Sequence, residues 1–139
     1  MNDATSAIDE IRSLMARYAE GFAGDPYTTI DFYALPMIYV GPDTISVIGS
    51  REEAVAFVEG GILNGLRPAG FSHTTVERCF AKLLHRSVAL CSVAGTRRRA
   101  DGSPIERIGA TYVLTAHPDW RIRELIATEP EKVGPSLSA

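Results

Sequence analysis

The first half of the chain switches between helical and extended hydrophobic patterns. Apolar side chains recur at three- and four-residue intervals over 6–23, which predicts an amphipathic first helix. An Asp-Pro pair begins a short second helix over about 25–34. The β-prone segments 37–40 and 44–49 flank a Gly-Pro-Asp turn, so they predict a hairpin. The segment SREE at 50–53 has the form of a capping box and begins a third helix.

The second half of the chain contains strand-like segments with no long helix between them. They cover roughly 71–84, 87–99 and 105–116, and a last strand follows over 120–128. Helices that precede an antiparallel meander predict an α+β domain, with the helices packed on one face of a strongly curved antiparallel sheet. Such a sheet encloses a conical space, which is a common place for a small ligand.

Length and composition place the chain among ordinary globular proteins. Its 139 residues predict one domain over 1–139, with a core of about 6–127 and a loose polar tail over 128–139. A net charge of −3 lacks the basic signature of a nucleic-acid-binding protein. The basic cluster TRRRA at 96–100 fits a solvated strand end, or else a site for an anion or a partner. With neither a signal peptide nor a membrane-length apolar run, we expect a cytoplasmic protein without a membrane partner.

The residues that usually hold metals or cofactors are sparse. Cys79 and Cys91 lie in predicted strands without C-x-x-C spacing and are interpreted as small buried thiols of a reducing compartment, with no support for a disulfide. The three histidines are far apart, and no H-E-x-x-H motif is present. Neither a glycine-rich phosphate loop after a strand nor a G-x-S-x-G motif occurs. We therefore expect no metal and no cofactor.

Three stretches of this sequence carry a family resemblance. FYALPMIYVGP precedes the first hairpin, GSREEAVAFV opens the third helix, and RADGSPIERIGATYVLTAHPDWRIREL forms the last hairpin. Together they resemble the NTF2-like superfamily, and within it the SnoaL-like and ketosteroid-isomerase-like proteins, over about 6–127. The resemblance implies a cone-shaped, cystatin-like fold with a deep apolar pocket, and a homodimer through the sheet face. The superfamily includes isomerases, dehydratases, cyclases and non-enzymatic binding modules, so the fold does not decide the function.

Tyr18 is the first candidate for chemistry, because its hydroxyl interrupts the apolar stripe of the first helix. A buried phenol needs a hydrogen-bond partner, which is a protein group, a water or a ligand. The resemblance to ketosteroid isomerases implies that a tyrosine here donates to a forming oxyanion. However, the position of the family's aspartate base reads Gly41-Pro42, and that of its second acid falls near Ala110. Isomerisation in its usual form is therefore not expected.

Other side chains could supply an acid or a base. His73 lies inside a predicted strand, although which face it occupies is open. Glu124 interrupts the apolar face of the last strand, where a carboxylate needs partners or shifts its pKa upward; it could instead pair with an arginine. The scytalone-dehydratase branch of the superfamily uses pocket histidines, tyrosines and an aspartate, to which Asp31 and Tyr39 correspond by residue type. The side chains expected to line the pocket are Phe22, Tyr39, Phe57, Thr75, Tyr112 and Trp120.

Three functions follow from these residues. The first is a module that binds a hydrophobic small molecule without chemistry of its own. The second is an isomerase-, dehydratase- or cyclase-type enzyme with Tyr18 as oxyanion donor and His73, Asp31 or Glu124 as acid or base. The third is a homodimeric interaction module. Whether Tyr18 and a titratable group converge on one empty volume distinguishes these functions. If the protein binds a ligand through Tyr18, Tyr18→Phe should change ligand affinity more than stability.

Overall fold

The computed structural model describes residues 3–134, and its elements follow the predicted order. Helix α1 spans Asp3–Ala23, and a 3₁₀ helix spans Pro26–Phe32. A second helical segment begins as α2 at Arg51–Ala56, widens into a π-helix over Phe57–Leu63 and ends as α3 at Asn64–Leu66. The strands are β1 (Tyr33–Val40), β2 (Ile45–Ile48), β3 (Phe71–His85), β4 (Val88–Arg99), β5 (Pro104–Ala116) and β6 (Trp120–Ala127).

Local side-chain bonds explain where two of the helices begin. The Asp25 carboxylate accepts a hydrogen bond from the backbone N–H of Tyr27 and caps the 3₁₀ helix. The Ser50 hydroxyl accepts from the backbone N–H of Glu53, whose own carboxylate accepts from the N–H of Gly49. The second arrangement is close to the predicted capping box, with the carboxylate bonded one residue earlier in the chain.

The six strands form one sheet in the order β2-β1-β6-β5-β4-β3. The predicted α+β architecture is confirmed, with one difference in the sheet. All neighbouring pairs are antiparallel except β1 and β6, which run parallel. The reason is connectivity: the long meander from β3 to β6 ends beside the free edge of the first hairpin, and β6 then runs in the same direction as β1.

Helix α1 supplies one wall of the core. Its buried side chains Ile11, Leu14, Met15 and Tyr18 follow helical spacing and belong to the same apolar cluster as the inward side chains of β1, β4, β5 and β6. The face of the sheet that contacts this cluster is called the inner face below, and the opposite one the outer face.

A C-terminal strap, defined as residues 128–134, crosses the outer face of the sheet. The backbone N–H of Thr128 donates to the carbonyl of Gly109, and the Arg78 guanidinium donates to the carbonyls of Pro130 and Val133 at 2.6 and 2.8 Å. Val133 is only 2% exposed. Although the sequence predicts a loose tail from residue 128, residues up to 134 pack onto the sheet; residues 135–139 lie outside the described part of the chain.

Candidate functional site

An aromatic cluster fills the space between α1 and the inner face of the sheet. The ring of Tyr18 lies at its centre, with centroids 5.2 to 5.9 Å from those of Phe22, Phe32, Tyr33 and Tyr112, all in edge-to-face geometry. Such contacts bury large apolar rings in a favourable electrostatic arrangement. The cluster extends outward as Phe57 contacts Tyr33 and Tyr39 at centroid distances of 6.4 and 5.2 Å.

The hydroxyl of Tyr18 meets another phenol inside this cluster. Its oxygen lies 2.6 Å from the hydroxyl oxygen of Tyr33, and both side chains are buried. Burial raises the pKa of Tyr18 well above its ordinary value, and it raises the pKa of Tyr33 to about 12, against the opposing effect of hydrogen bonding to Tyr18 and Thr29. Both phenols therefore stay protonated at neutral pH, and Tyr18 has its hydrogen-bond partner within the protein.

His73 and Thr75 lie on the outer face. His73 pairs across the sheet with Arg98, and the Arg98 guanidinium donates to the Thr75 hydroxyl at 3.0 Å. Strict alternation would group both residues with Cys79, which packs against the core. A β-bulge at Glu77 shifts the register between them and Cys79, so His73 and Thr75 face away from Tyr18.

Glu124 is moved to the outer face by a second bulge. Ile122 pairs with Leu114 and is fully buried in the core, whereas Glu124 pairs with the adjacent residue Val113. The extra residue between them is Arg123, whose guanidinium donates to a backbone carbonyl of β1. The expectation that Glu124 interrupts the inner apolar face is therefore corrected, because this bulge reverses the alternation within β6.

Asp31 lies at the surface rather than beside Tyr18. Its carboxylate accepts a hydrogen bond from the Arg51 guanidinium at 3.0 Å, and its side chain is 70% exposed. Of the three candidate bases, Asp31 is the one that borders the cleft between α1, the 3₁₀ helix and β6.

A cleft of about 370 Å³ opens between α1, the 3₁₀ helix and the start of β6. We call it the rim cleft. Its apolar floor and charged rim come from three separate parts of the chain. The lining residues are Glu10, Leu14 and Arg17 from α1, Asp31 and Phe32 from the 3₁₀ helix, Asp119 from the turn before β6, and Trp120 and Arg121 from β6 itself.

The rim of this cleft carries charges of both signs. The Arg17 guanidinium carbon lies 5.8 Å from the centre of the Phe32 ring, within the range of a cation–π contact. Among residues 3–134, neither Arg17 nor Arg121 forms an ion pair, and neither do Glu10 and Asp119. The apolar part of the lining comes from Leu14, Phe32 and Trp120, of which Leu14 and Trp120 are only 5% and 9% exposed.

The structure thus divides the predicted site residues into three groups. Tyr18, Phe22 and Tyr112 meet in the aromatic cluster, to which Phe57 and Tyr39 are adjacent. Asp31 and Trp120 meet in the rim cleft. The residues on the outer face are His73, Thr75 and Glu124. Tyr18 is not among the residues that line the rim cleft.

Most of the rim cleft was not predicted from the sequence. Glu10, Leu14 and Arg17 share one helical face, which the spacing of 4 and 3 residues would have revealed. Their meeting with the 3₁₀ helix and the turn before β6 depends on the packing of distant segments. Tyr33 was missed because it falls in the last turn of the predicted second helix, where a tyrosine has no distinctive sequence signal.

The arginines of the TRRRA segment are occupied by local partners. Arg97 forms an ion pair with Glu106 at 2.6 Å, and Arg98 donates to the carbonyl of Gly102 in the β4–β5 turn. Arg99 donates to backbone carbonyls and to a serine hydroxyl beside the same turn. These contacts agree with the simpler interpretation of a solvated strand end.

Residues 3–134 contain neither a metal-binding cluster nor a membrane-spanning helix. No three or more histidine, cysteine, aspartate or glutamate side chains are grouped so that they could hold a metal ion. No helix in this part of the chain combines the length and the apolar character needed to cross a membrane.

Solved structures similar to this chain share its cystatin-like α+β class. An NTF2-like protein with a cystatin-like fold from Novosphingobium aromaticivorans is 16% identical, with a TM-score of 0.69 over 91% of this chain and 83% of that one. A protein from Catenulispora acidiphila in complex with S-DNPA is 13% identical, with a TM-score of 0.63 over 88% and 94%. A candidate scytalone dehydratase from N. aromaticivorans is 12% identical, with a TM-score of 0.64 over 99% and 97%.

The family model described as NTF2-like protein (DUF6841) matches residues 5–130. The chain therefore belongs to this NTF2-like family, and the resemblance found in the sequence is confirmed. No curated protein matches the chain in sequence. Because the solved structures are less than 25% identical to it, they show the fold alone and leave the function to the site.

Proposed function

We propose that this protein binds a small amphipathic molecule in the rim cleft. The observation that carries the proposal is the cleft itself, whose volume of about 370 Å³ falls within the range of small-molecule sites. A flat apolar group would lie against Trp120 and Phe32, while an ionised group would meet the unpaired charges of the rim. This is the binding-module function in a more specific form, with the ligand beside the aromatic cluster rather than within it.

Two features support binding over catalysis. The Tyr18 hydroxyl, the proposed oxyanion donor, is bonded to Tyr33 and does not line the cleft. Asp31, the candidate base that does border the cleft, is exposed and paired with Arg51. General acid–base catalysis needs both groups within hydrogen-bond reach of the same substrate, and this pair does not provide it.

The experiment uses the natural reporter in the cleft. Trp120 is the only tryptophan in the sequence, so intrinsic tryptophan fluorescence reports on this site alone. Phenylacetate, 2-phenylethylamine and phenylacetamide share one ring and differ in charge. We expect a saturable change in Trp120 emission with at least one of the charged probes, and a rise in melting temperature with the same probe because binding stabilises the folded state.

Matched variants locate the binding site. Arg17→Gln should weaken binding of phenylacetate by about two- to fivefold, as expected for the loss of an exposed cationic contact. Arg107→Gln removes the same charge from an exposed position on β5 and should leave the affinity unchanged. Equal effects of the two substitutions, or no saturable change with any probe, would contradict the proposal. Binding that is lost in Tyr18→Phe but kept in Arg17→Gln would instead place the ligand in the aromatic cluster.

A further inference from the structure

The two cysteines of the chain lie side by side on the inner face of the sheet. Cys79 on β3 pairs with Val93, and Cys91 on β4 pairs with Ala81, so the two cysteines are diagonal neighbours on adjacent antiparallel strands. Their sulfur atoms are 3.7 Å apart, and both thiols are free. This is a different place from the rim cleft, which neither cysteine lines.

The two thiols have unequal access to solvent. Cys91 is fully buried within the core cluster, whereas Cys79 is only partly buried. A small reagent that enters from solvent therefore reaches the sulfur of Cys79 before that of Cys91. In a reaction of the pair with such a reagent, Cys79 is therefore the first sulfur to react and Cys91 the second.

The electrostatic environment also favours Cys79 over Cys91 as the reactive thiol. A hydrogen bond from Cys91 lowers the pKa of Cys79 to about 7 against the opposing effect of burial, and the positive charge of Arg12 lowers it further. The same interaction, together with burial, raises the pKa of Cys91. At neutral pH, Cys79 therefore supplies a thiolate, and Cys91 keeps its proton and donates it to that thiolate.

We infer that Cys79 and Cys91 form a peroxide-reactive thiol pair, in which Cys79 is the attacking sulfur and Cys91 the resolving one. The Cys79 thiolate attacks one oxygen of hydrogen peroxide and breaks the O–O bond. The departing hydroxide takes a proton to become water, and Cys79 becomes a sulfenic acid. The sulfur of Cys91 then attacks the sulfur of Cys79, losing its proton as the sulfenic hydroxyl leaves as a second water. Peroxide is reduced, and two thiols are oxidised to one disulfide.

The second step brings the two sulfurs together. They must close from 3.7 Å to the length of a disulfide bond, about 2.05 Å. Diagonal neighbours on paired strands lie about 7–8 Å apart, so the two backbones must also approach each other for the bond to form. Cys91 lies directly across from Tyr112, which contacts Tyr18. The disulfide would therefore form at the edge of the aromatic cluster.

The test treats the folded full chain and its cysteine variants with hydrogen peroxide at neutral pH. In the wild type, both thiols should disappear together, the intact mass should fall by two hydrogen atoms, and dithiothreitol should restore both thiols. In Cys91→Ser, oxidation should stop at a sulfenic acid on Cys79 that dimedone captures. In Cys79→Ser, Cys91 should react at least about tenfold more slowly than Cys79 does in the wild type, because it is a buried thiol.

Three controls keep the result decisive. Circular dichroism shows whether each variant is folded, and Cys91→Ala provides a second variant that lacks the resolving sulfur. Non-reducing gel electrophoresis separates an internal disulfide from one between two chains. Retention of both thiols in the wild type, a disulfide formed only between chains, or equal reactivity of Cys79 and Cys91 would each overturn the inference.

Discussion

The buried phenol pair yields the most specific prediction about stability. The hydroxyl oxygens of Tyr18 and Tyr33 lie 2.6 Å apart, and the side chains are 4% and 2% exposed. Replacing either residue with phenylalanine leaves the remaining hydroxyl buried without its partner, which costs about 1–3 kcal/mol. The two substitutions should differ, because Tyr33 also interacts with the Thr29 side chain and Tyr18 has no second hydrogen-bond partner among residues 3–134.

We therefore expect Tyr33→Phe to lower the free energy of unfolding by about 2–3 kcal/mol and Tyr18→Phe by about 1 kcal/mol. The double variant should be clearly less destabilised than the sum of the two, since the second substitution removes a hydroxyl that is already unpaired. Urea denaturation of the wild type, both single variants and the double variant measures the four values. Tyr27→Phe serves as the control, because its hydroxyl bonds to Glu59 at an exposed site.

Two results would refute this reasoning. Additive losses would show that the two hydroxyls do not interact. Losses no larger than that of Tyr27→Phe would show that water or a ligand satisfies the phenols, which agrees with the sequence-based expectation that Tyr18 acts mainly on ligand affinity. Titration of Tyr18→Phe with the probes for the rim cleft completes the comparison, because the structure predicts that their affinity is unchanged.

Three further predictions concern pH and the C-terminal strap. Folding raises the pKa of Tyr33 from 10.0 to about 12, so the unfolded chain loses this proton first as pH rises. The free energy of unfolding should therefore fall between about pH 10 and 12. Urea denaturation at each pH should show a shallower fall in Tyr33→Phe. Arg78→Ala should cost about 2 kcal/mol and speed hydrogen exchange of the strap amides, whereas unchanged exchange would mean that its two hydrogen bonds do not hold the strap. Gly109→Ala should cost about 1–3 kcal/mol in urea denaturation, because its Cβ would lie 2.5 Å from the Thr128 carbonyl oxygen, whereas Gly60→Ala has open space and should not destabilise.

The element order could be predicted from the sequence because local signals mark most of its boundaries. The strands predicted over 71–84, 87–99 and 105–116 are observed at Phe71–His85, Val88–Arg99 and Pro104–Ala116. Turn residues end each of them, and β-rich runs fill the intervals. These signals depend only on neighbouring residues, so they can be recognised without knowledge of the tertiary structure.

The faces of the strands could not be predicted with the same success. A single bulge reverses the alternation for the rest of a strand, and nothing in the sequence marks the bulges at Glu77 and Arg123. Alternation from residues on the far side of the bulge placed Glu124 on the apolar face, and it leaves the face of His73 open. Their positions on the outer face follow from the register of neighbouring strands, which is a tertiary property.

The aromatic cluster and the rim cleft are connected through Phe32. One side of its ring contacts Tyr18, and the guanidinium of Arg17 lies over the ring beside the cleft. Tyr18 and its neighbours occupy the space between α1 and the inner face of the sheet, and the rim cleft lies where α1 meets the 3₁₀ helix and β6. The aromatic side chains at 18, 32 and 33 occupy the space beside α1, so the ligand proposed above would meet the charged rim of the cleft rather than the Tyr18 hydroxyl.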